Sequence, residues 1–201
     1  MRLERMLPTP GIIVLALMVS VTFPSLRANE CERQSCLSDH PWGSVLIRLL
    51  SEFKQCREAL DDRSPCNTFL TKALATVYQV EDFGGGSTTS FSANQIAARL
   101  TQIPGLWEPL GAADRQSALD QAVAKANAGL AVIAVWQGTP HGHVALILPG
   151  ATTRSGSWGL QTPCAASFFL DNPQKAFVGC PLSYAFSSDK KQDVRLYARR
   201  F

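Results

Sequence analysis

The chain has 201 residues, of which 46% are hydrophobic and 17% charged, and its formal net charge is +3. These proportions suit a packed globular domain and exclude wholesale disorder. The charge is small and scattered, with no basic run interleaved with aromatic residues, so the sequence predicts no nucleic-acid partner.

The first 28 residues have the pattern of a secretory signal peptide. Arg2 and Arg5 form a basic start, residues 11–23 (GIIVLALMVSVTF) are apolar, and Ala28 is a small residue before a cleavage point. The apolar stretch is shorter than the roughly 18 residues of a membrane span. An uncleaved anchor stays open as an alternative. We expect an exported protein, periplasmic or extracellular, whose mature chain begins at Asn29.

The next predicted element is a helix over residues 44–60, where apolar residues recur at helical spacing. It belongs to an N-terminal segment that we bound at residues 29–62. Ser64 is a good N-cap and Pro65 fits the first helical position. A second helix is therefore expected from Pro65 to about Tyr78.

Two more helices are predicted farther along the chain. Ser92 can cap a helix over residues 93–100 (ANQIAARL), and residues 113–129 form an alanine-rich helix that ends at Gly129. The stretch between them, residues 104–111 (PGLWEPLG), is predicted to be a loop.

The last third of the chain predicts strands. Residues 130–136 and 143–149 are short apolar runs, and residues 157–162 (SWGLQT) follow a polar turn. Residues 194–200 (VRLYARR) are expected to form a final strand at the edge of the sheet. Helices followed by an antiparallel sheet predict an α+β fold.

A thiol site is predicted at the start of the second helix. Pro65 in the first helical position puts Cys66 in the second, where free backbone N–H groups and the helix dipole stabilise a thiolate. Such a nucleophile needs a base. The alternation of the strand puts His143 on the same face as Ala145 and Ile147, and we expect that face to lie against the Cys66 helix.

The base needs an orienting group, which the strand pairing suggests. If residues 143–149 and 157–162 form a hairpin, His143 falls opposite the region of Gln161. Gln161 is then the polar side chain best placed to hold the imidazole. Three alternatives stay open: Ser157, Thr162 and Asp171.

The same residues could also have purely structural roles. A cysteine at a helix start is often structural or disulfide-bonded, and a histidine that starts a strand is often a hydrogen-bonding residue at a loop edge. No CxxC or HExxH motif is present, and His141 and His143 could both ligate only in a loop. The sequence therefore predicts no metal and no cofactor.

The cysteine count bears on the same choice. Export to an oxidising compartment favours disulfides among the six cysteines, Cys31, Cys36, Cys56, Cys66, Cys164 and Cys180. Three bridges are one interpretation. The other keeps Cys66 free, with a possible Cys164–Cys180 disulfide and a second bridge among the N-terminal cysteines, which leaves one thiol unexplained.

The run from Ala118 to Gly150, with its GHVALILPG end, and SWGLQTPCAASFF after it resemble the C-terminal half of the NlpC/P60 and CHAP group of papain-like cysteine hydrolases. SPCNTFLTKAL at residues 64–74 resembles their nucleophile helix. The resemblance covers about residues 64–201 and implies a catalytic domain over 63–201. It implies papain-like NlpC/P60 architecture, in which N-terminal helices pack on a C-terminal antiparallel sheet.

By the resemblance, Cys66 matches the nucleophile, His143 the base, and Gln161 the third, variable polar position. It implies hydrolysis of amide bonds in peptidoglycan peptides through a thioester. The partners would be peptidoglycan or muropeptides, with an inhibitor or a targeting protein as a further candidate. Two alternatives remain: another thiol acyl-transfer enzyme, and a non-enzymatic, disulfide-stapled binding or inhibitory domain.

Overall fold

The structure is a computed structural model that describes residues 40–56, 69–84 and 91–200. The predicted signal peptide, the predicted helix start at Pro65, and Cys31, Cys36 and Cys66 lie outside the described residues. Within those ranges the helices are α1 (Gly43–Gln55), α2 (described from Phe69 to Tyr78), α3 (Ala93–Gln102) and α4 (Gln116–Asn127).

The described strands are β1 (Trp107–Ala112), β2 (Val132–Trp136), β3 (His143–Ile147), β4 (Thr153–Arg154), β5 (Gln161–Thr162), β6 (Cys164–Ser167), β7 (Phe177–Pro181) and β8 (Arg195–Arg199). Six of them form one antiparallel sheet in the order β1-β8-β2-β3-β6-β7, and β4 pairs with β5 in a separate ribbon. The predicted α+β class is confirmed.

The sheet has two covered faces because side chains alternate along each strand. On β3, Val144 and Leu146 point to one face, where α1, α2 and α3 pack; we call it the three-helix face. Ala145 and Ile147 point to the other, the α4 face, where α4 packs. Three of the four buried side chains of α4 are small, namely Ala118, Ala122 and Ala126, and the fourth is Leu119, so this helix can approach the sheet closely.

Several predicted elements are confirmed with shifted ends. The helix capped by Ser92 is present as α3, and it carries a full capping box with Gln95. The predicted strands over 130–136 and 143–149 are present as β2 and β3. The alanine-rich helix begins at Gln116 rather than at residue 113, because Ala113 instead donates its N–H to the carbonyl of Val194 next to β8.

Two predictions were wrong at the edge of the sheet that β1 forms. Residues 104–111 were predicted to be a loop, yet most of them belong to β1, whose Trp107 is fully buried. Pairing of β1 with β8 puts β8 inside the sheet and not at its edge. A Pro and a Gly inside β1 hide the strand pattern, and the register shift between Pro109 and Gly111 accommodates both.

The predicted strand over residues 157–162 was also wrong. Residues 156–160 turn, because Trp158 is buried and donates its indole N–H to the carbonyl of Phe186. Only Gln161 and Thr162 are extended, and their partner is β4. On the side of β3 away from β2, the neighbouring strand is β6. Among the described residues, no helix is long and apolar enough to cross a membrane.

Candidate functional site

His143 is the first residue of β3 and lies opposite Trp136, the last residue of β2. Its place in the alternation puts it on the α4 face, together with Ala145. The ring stacks on Phe169 with centroids 4.4 Å apart and an interplanar angle of 13°, and Phe186 meets it edge-on at 5.3 Å. The imidazole is thus held between aromatic side chains and is mostly shielded from water.

Ser167 is the polar partner of His143. It ends β6, lies opposite Ala145, and is fully buried. Its Oγ is 2.6 Å from Nε2 of His143. A hydroxyl can accept a hydrogen bond from Nε2–H or donate one to a bare Nε2, so this pair suits either neutral tautomer of the ring.

The other ring nitrogen, Nδ1 of His143, makes no hydrogen bond within the described part of the chain. When Nε2–H donates to Ser167, Nδ1 carries the lone pair and is free to accept a proton. Once Nδ1 has accepted a proton the ring is an imidazolium, with Nε2–H still donating to Ser167, and it is able to give the Nδ1 proton up again. The arrangement can therefore take up and release a proton at one defined atom.

The environment favours the neutral form of His143. Burial, and secondly the charge of Lys190, lower the pKa of this imidazole from 6.5 to about 4. Lys190 is held there because its Nζ lies 3.8 Å from the ring centroid of Trp136. A thiolate brought within hydrogen-bond distance would counter both effects and raise the pKa again.

Gln161 does not reach His143, and the predicted hairpin register is wrong. Gln161 lies in β5 opposite Arg154, its side chain is exposed, and its backbone is held by the side chain of Gln116. The alternatives lie elsewhere too. Ser157 shares a hydrogen bond with Ser155, Thr162 donates to the carbonyl of Thr153, and Asp171 is exposed.

Sequence reasoning missed Ser167 because the strand that carries it was not predicted. CAAS, the sequence of β6, consists of small residues without a β-branched or aromatic side chain. The one indication of this strand in the sequence is that β6 begins directly after Pro163, which ends the β4–β5 ribbon.

Cys66 lies outside the described residues, but the described part of its predicted helix contradicts one expectation. Phe69 and Leu74 of α2 pack on the three-helix face, whereas His143 lies on the α4 face. The prediction that the face of His143 lies against this helix is wrong. The two elements nevertheless meet at one end of the sheet, because Phe69 contacts Phe168, whose neighbour Phe169 stacks on His143.

Cys56, Cys164 and Cys180 are disulfide-bonded. In the register of β6 and β7, Cys180 lies opposite Ala165, while Cys164 lies opposite Pro181. The register shift between Ala165 and Ala166 lies next to these residues and interrupts the regular alternation of side chains there. The mutual pairing of Cys164 and Cys180 stays a prediction.

Within the ranges that the structure describes, no group of three or more His, Cys, Asp or Glu residues could hold a metal ion. His141 is exposed. No protein-family model and no curated protein matches the chain.

Proposed function

We propose that this protein is an exported thiol amidase or endopeptidase that cleaves amide bonds in bacterial peptidoglycan peptides. Cys66 is the nucleophile, His143 is the general base and acid, and Ser167 replaces Gln161 as the residue that orients the imidazole. The observation that carries the proposal is the buried Ser167–His143 hydrogen bond, which engages Nε2 and leaves Nδ1 without a hydrogen-bond partner among the described residues. Cysteine hydrolases need a base held in this way.

The position of α2 supports the assignment of the nucleophile. Cys66 precedes Phe69, the first described residue of α2, by three residues in the sequence. Phe69 lies at the end of the sheet where β3 begins, linked to His143 through Phe168 and Phe169.

The reaction proceeds through two acyl transfers. Nδ1 of His143 takes the thiol proton of Cys66, and the thiolate attacks the amide carbonyl carbon. The backbone N–H of Cys66 is a donor for the oxyanion. The C–N bond breaks as the imidazolium gives its proton to the leaving amine. Water, deprotonated by the same imidazole, then hydrolyses the thioester and restores the thiol.

The choice of substrate rests on the resemblance to NlpC/P60 and CHAP hydrolases. The papain-like arrangement is supported by the order of elements: three helices, then β1 and α4, then the remaining strands of the antiparallel sheet, with Gly142 directly before His143 at the start of β3. Export, a peptidoglycan or muropeptide substrate, and an inhibitor or targeting protein as partner belong to the same proposal. No cofactor is required by this chemistry.

A second candidate is a disulfide-stapled binding or inhibitory domain without catalysis. It is favoured by the three disulfide-bonded cysteines. If Cys164 and Cys180 do not pair with each other, their partners come from Cys31, Cys36, Cys56 and Cys66. Enzyme and binder then differ in one fact, which is whether the thiol of Cys66 is free in the active protein.

The experiment combines thiol mapping with a cleavage assay. The purified protein is labelled with iodoacetamide, before and after mild reduction, and digested for mass spectrometry. In parallel, release of amines from peptidoglycan is measured for the wild type and for Cys66→Ala and His143→Ala. We expect Cys66 to be alkylated and both variants to lose cleavage with the fold intact. Cleavage that survives Cys66→Ala rejects the proposal. A Cys66 that stays disulfide-bonded with no cleavage in either redox state assigns the binder.

A further inference from the structure

Asn94 clamps the loop that delivers His143. The loop comprises residues 137–142 and joins Trp136 to His143, which are paired across β2 and β3. Asn94 Nδ2 donates to the carbonyl of Gly138 over 2.9 Å, and Asn94 Oδ1 accepts from the N–H of the same residue over 3.2 Å. A weaker contact of 3.5 Å runs from Nδ2 to the carbonyl of Pro140. The amide thus satisfies both backbone groups of one residue.

The loop is packed tightly around this clamp. A Cβ built on Gly142 would lie 2.5 Å from Asn94 Oδ1 and 2.4 Å from the carbonyl oxygen of Trp136. A Cβ on Gly138 would lie 2.3 Å from the Trp136 ring. All three distances are far shorter than van der Waals contact. Gly142, the residue directly before His143, therefore passes against the Asn94 amide with no room for a side chain.

The clamp is mounted on a rigid support. Asn94 lies in the first turn of α3. A capping box fixes this turn, because the side chains of Ser92 and Gln95 each accept a hydrogen bond from the backbone N–H of the other residue. Ile96 and Leu100 anchor the same helix in the core of the three-helix face. The position of the Asn94 amide is therefore set by the core and not by the loop that it holds.

We propose that Asn94 is a positioning residue for His143: by holding Gly138 and packing against Gly142, it fixes the backbone from which the imidazole projects towards Ser167. It acts from the three-helix face, through the backbone, on a ring that lies on the α4 face. The catalytic consequence rests on the proposed function. The structural consequence, the setting of the imidazole, does not.

Asn127 provides a matched control. It accepts from the N–H of Gly150 over 2.7 Å and its Nδ2 lies 3.4 Å from the carbonyl of the same glycine. It therefore makes the same kind of clamp on the loop that follows β3, at the end of the strand away from His143. Loss of either clamp should lower the melting temperature by a few degrees.

The experiment compares Asn94→Ala with Asn127→Ala in two readouts. The first is an NMR pH titration of the histidine ring signals, with His143 assigned by their loss in His143→Gln. In Asn94→Ala the loosened loop should admit water to the ring, so the pKa of His143 should rise from about 4 towards 6.5. In Asn127→Ala it should stay where it is in the wild type.

The second readout is peptidoglycan cleavage. Asn94→Ala should lower kcat on the order of tenfold with KM nearly unchanged, because a displaced base impairs chemistry more than binding. Asn127→Ala should leave both constants near wild type. Equal titration curves for the two variants in folded protein overturn the positioning role, whatever the cleavage assay shows. A wild type that does not cleave peptidoglycan rejects the proposed function, and the titration still decides the role of Asn94.

Discussion

The hydroxyl of Ser167 lies 2.6 Å from Nε2 of His143, although the two residues are not directly opposed in the sheet. Ser167 faces Ala145, and His143 is two residues earlier on the same strand. Diagonal neighbours of this kind are within reach of a long side chain. Ala145 has a methyl group only, so the imidazole can lean along the strand to meet the hydroxyl.

Removal of the Ser167 hydroxyl should harm both stability and turnover. Ser167→Ala leaves Nε2 of His143 buried without its partner, a loss of about 1–3 kcal/mol in the free energy of unfolding. The ring then has no hydrogen bond to hold its orientation, so turnover should fall. Urea denaturation and peptidoglycan cleavage measure the two effects.

Gln161→Ala is the comparison for Ser167→Ala. Its side chain is exposed and far from the imidazole in the sheet register, so the free energy of unfolding should change by less than about 0.5 kcal/mol. Turnover should also stay near wild type. A larger loss of turnover in Gln161→Ala than in Ser167→Ala would restore the original prediction for Gln161.

The low pKa of His143 makes the folded state sensitive to acid. Its pKa is about 4 in the folded protein, against 6.5 as the ordinary value. Between these values the unfolded chain binds a proton that the folded chain does not, so stability falls as the pH drops from about 6.5 to 4. The full difference corresponds to about 3 kcal/mol. Above pH 7 the contribution of this group is constant.

The measurement is the free energy of unfolding against pH for the wild type and for His143→Gln. Glutamine can pack between the same rings and does not titrate. The difference between the two proteins should therefore grow smoothly below pH 6.5 and level off near pH 4. Parallel curves for the two proteins would mean that His143 titrates as an ordinary exposed histidine.

Half of the site follows from the sequence, and the other half depends on long-range register. The alternation in HVALI correctly places His143 with Ala145 and Ile147, since a period of two is a local property. The helix that covers that face cannot be read from local sequence. Both α2 and α4 are apolar on one side, and only packing against the sheet decides which face each helix covers. The N-cap at Ser92 is likewise a local signal and was predicted, whereas the reciprocal bond from Gln95 was not.

Ser167 and β1 show what local reasoning leaves out. β6 pairs with β3 only because the residues between them fold away into the β4–β5 ribbon around the buried Trp158. Strand β1 contains Pro109 and Gly111, two residue types with a low propensity for β-strands. It is held instead by pairing with β8 and by burial of Trp107. In both cases tertiary contacts override the weaker local signal.

Lys190 should control the pKa of His143 by its charge. Lys190→Met keeps an apolar chain over the Trp136 ring but removes the cation, so the pKa of His143 should rise. Added salt should reduce the gap between wild type and variant, because screening weakens the interaction. An NMR titration of His143 at low and high salt measures this.

Lys191→Met is the matched control for Lys190→Met. Lys191 is the next residue along the chain, but its Nζ donates to the carbonyl of Trp158 and is not among the causes of the shift at His143. The titration of His143 should therefore be unchanged. If both variants shift the pKa equally, net charge and not the placement of Lys190 is responsible.

The carboxylate of Asp82 should be one of the most stabilising polar groups in the described chain. Asp82 accepts from Trp107 Nε1 over 2.9 Å and is paired with the guanidinium of Arg199 on β8. The side chains of this ion pair are only 15% and 19% exposed. Asp82→Ala leaves a cation and an indole N–H without their acceptor, so it should cost roughly 3 kcal/mol. Asp82→Asn keeps an acceptor for the indole and should cost less.

The control for Asp82 is an ion pair on the surface. Glu52 pairs with Arg48 over 3.2 Å within α1, where the two side chains are 45% and 64% exposed. Water and salt screen such a pair, and Glu52→Ala should change the free energy of unfolding by less than about 0.5 kcal/mol. Chemical denaturation of the three variants tests the ranking Asp82→Ala, Asp82→Asn, Glu52→Ala. Equal effects of Asp82→Ala and Glu52→Ala would show that the Asp82–Arg199 contact does not hold β8 to the segment before α3.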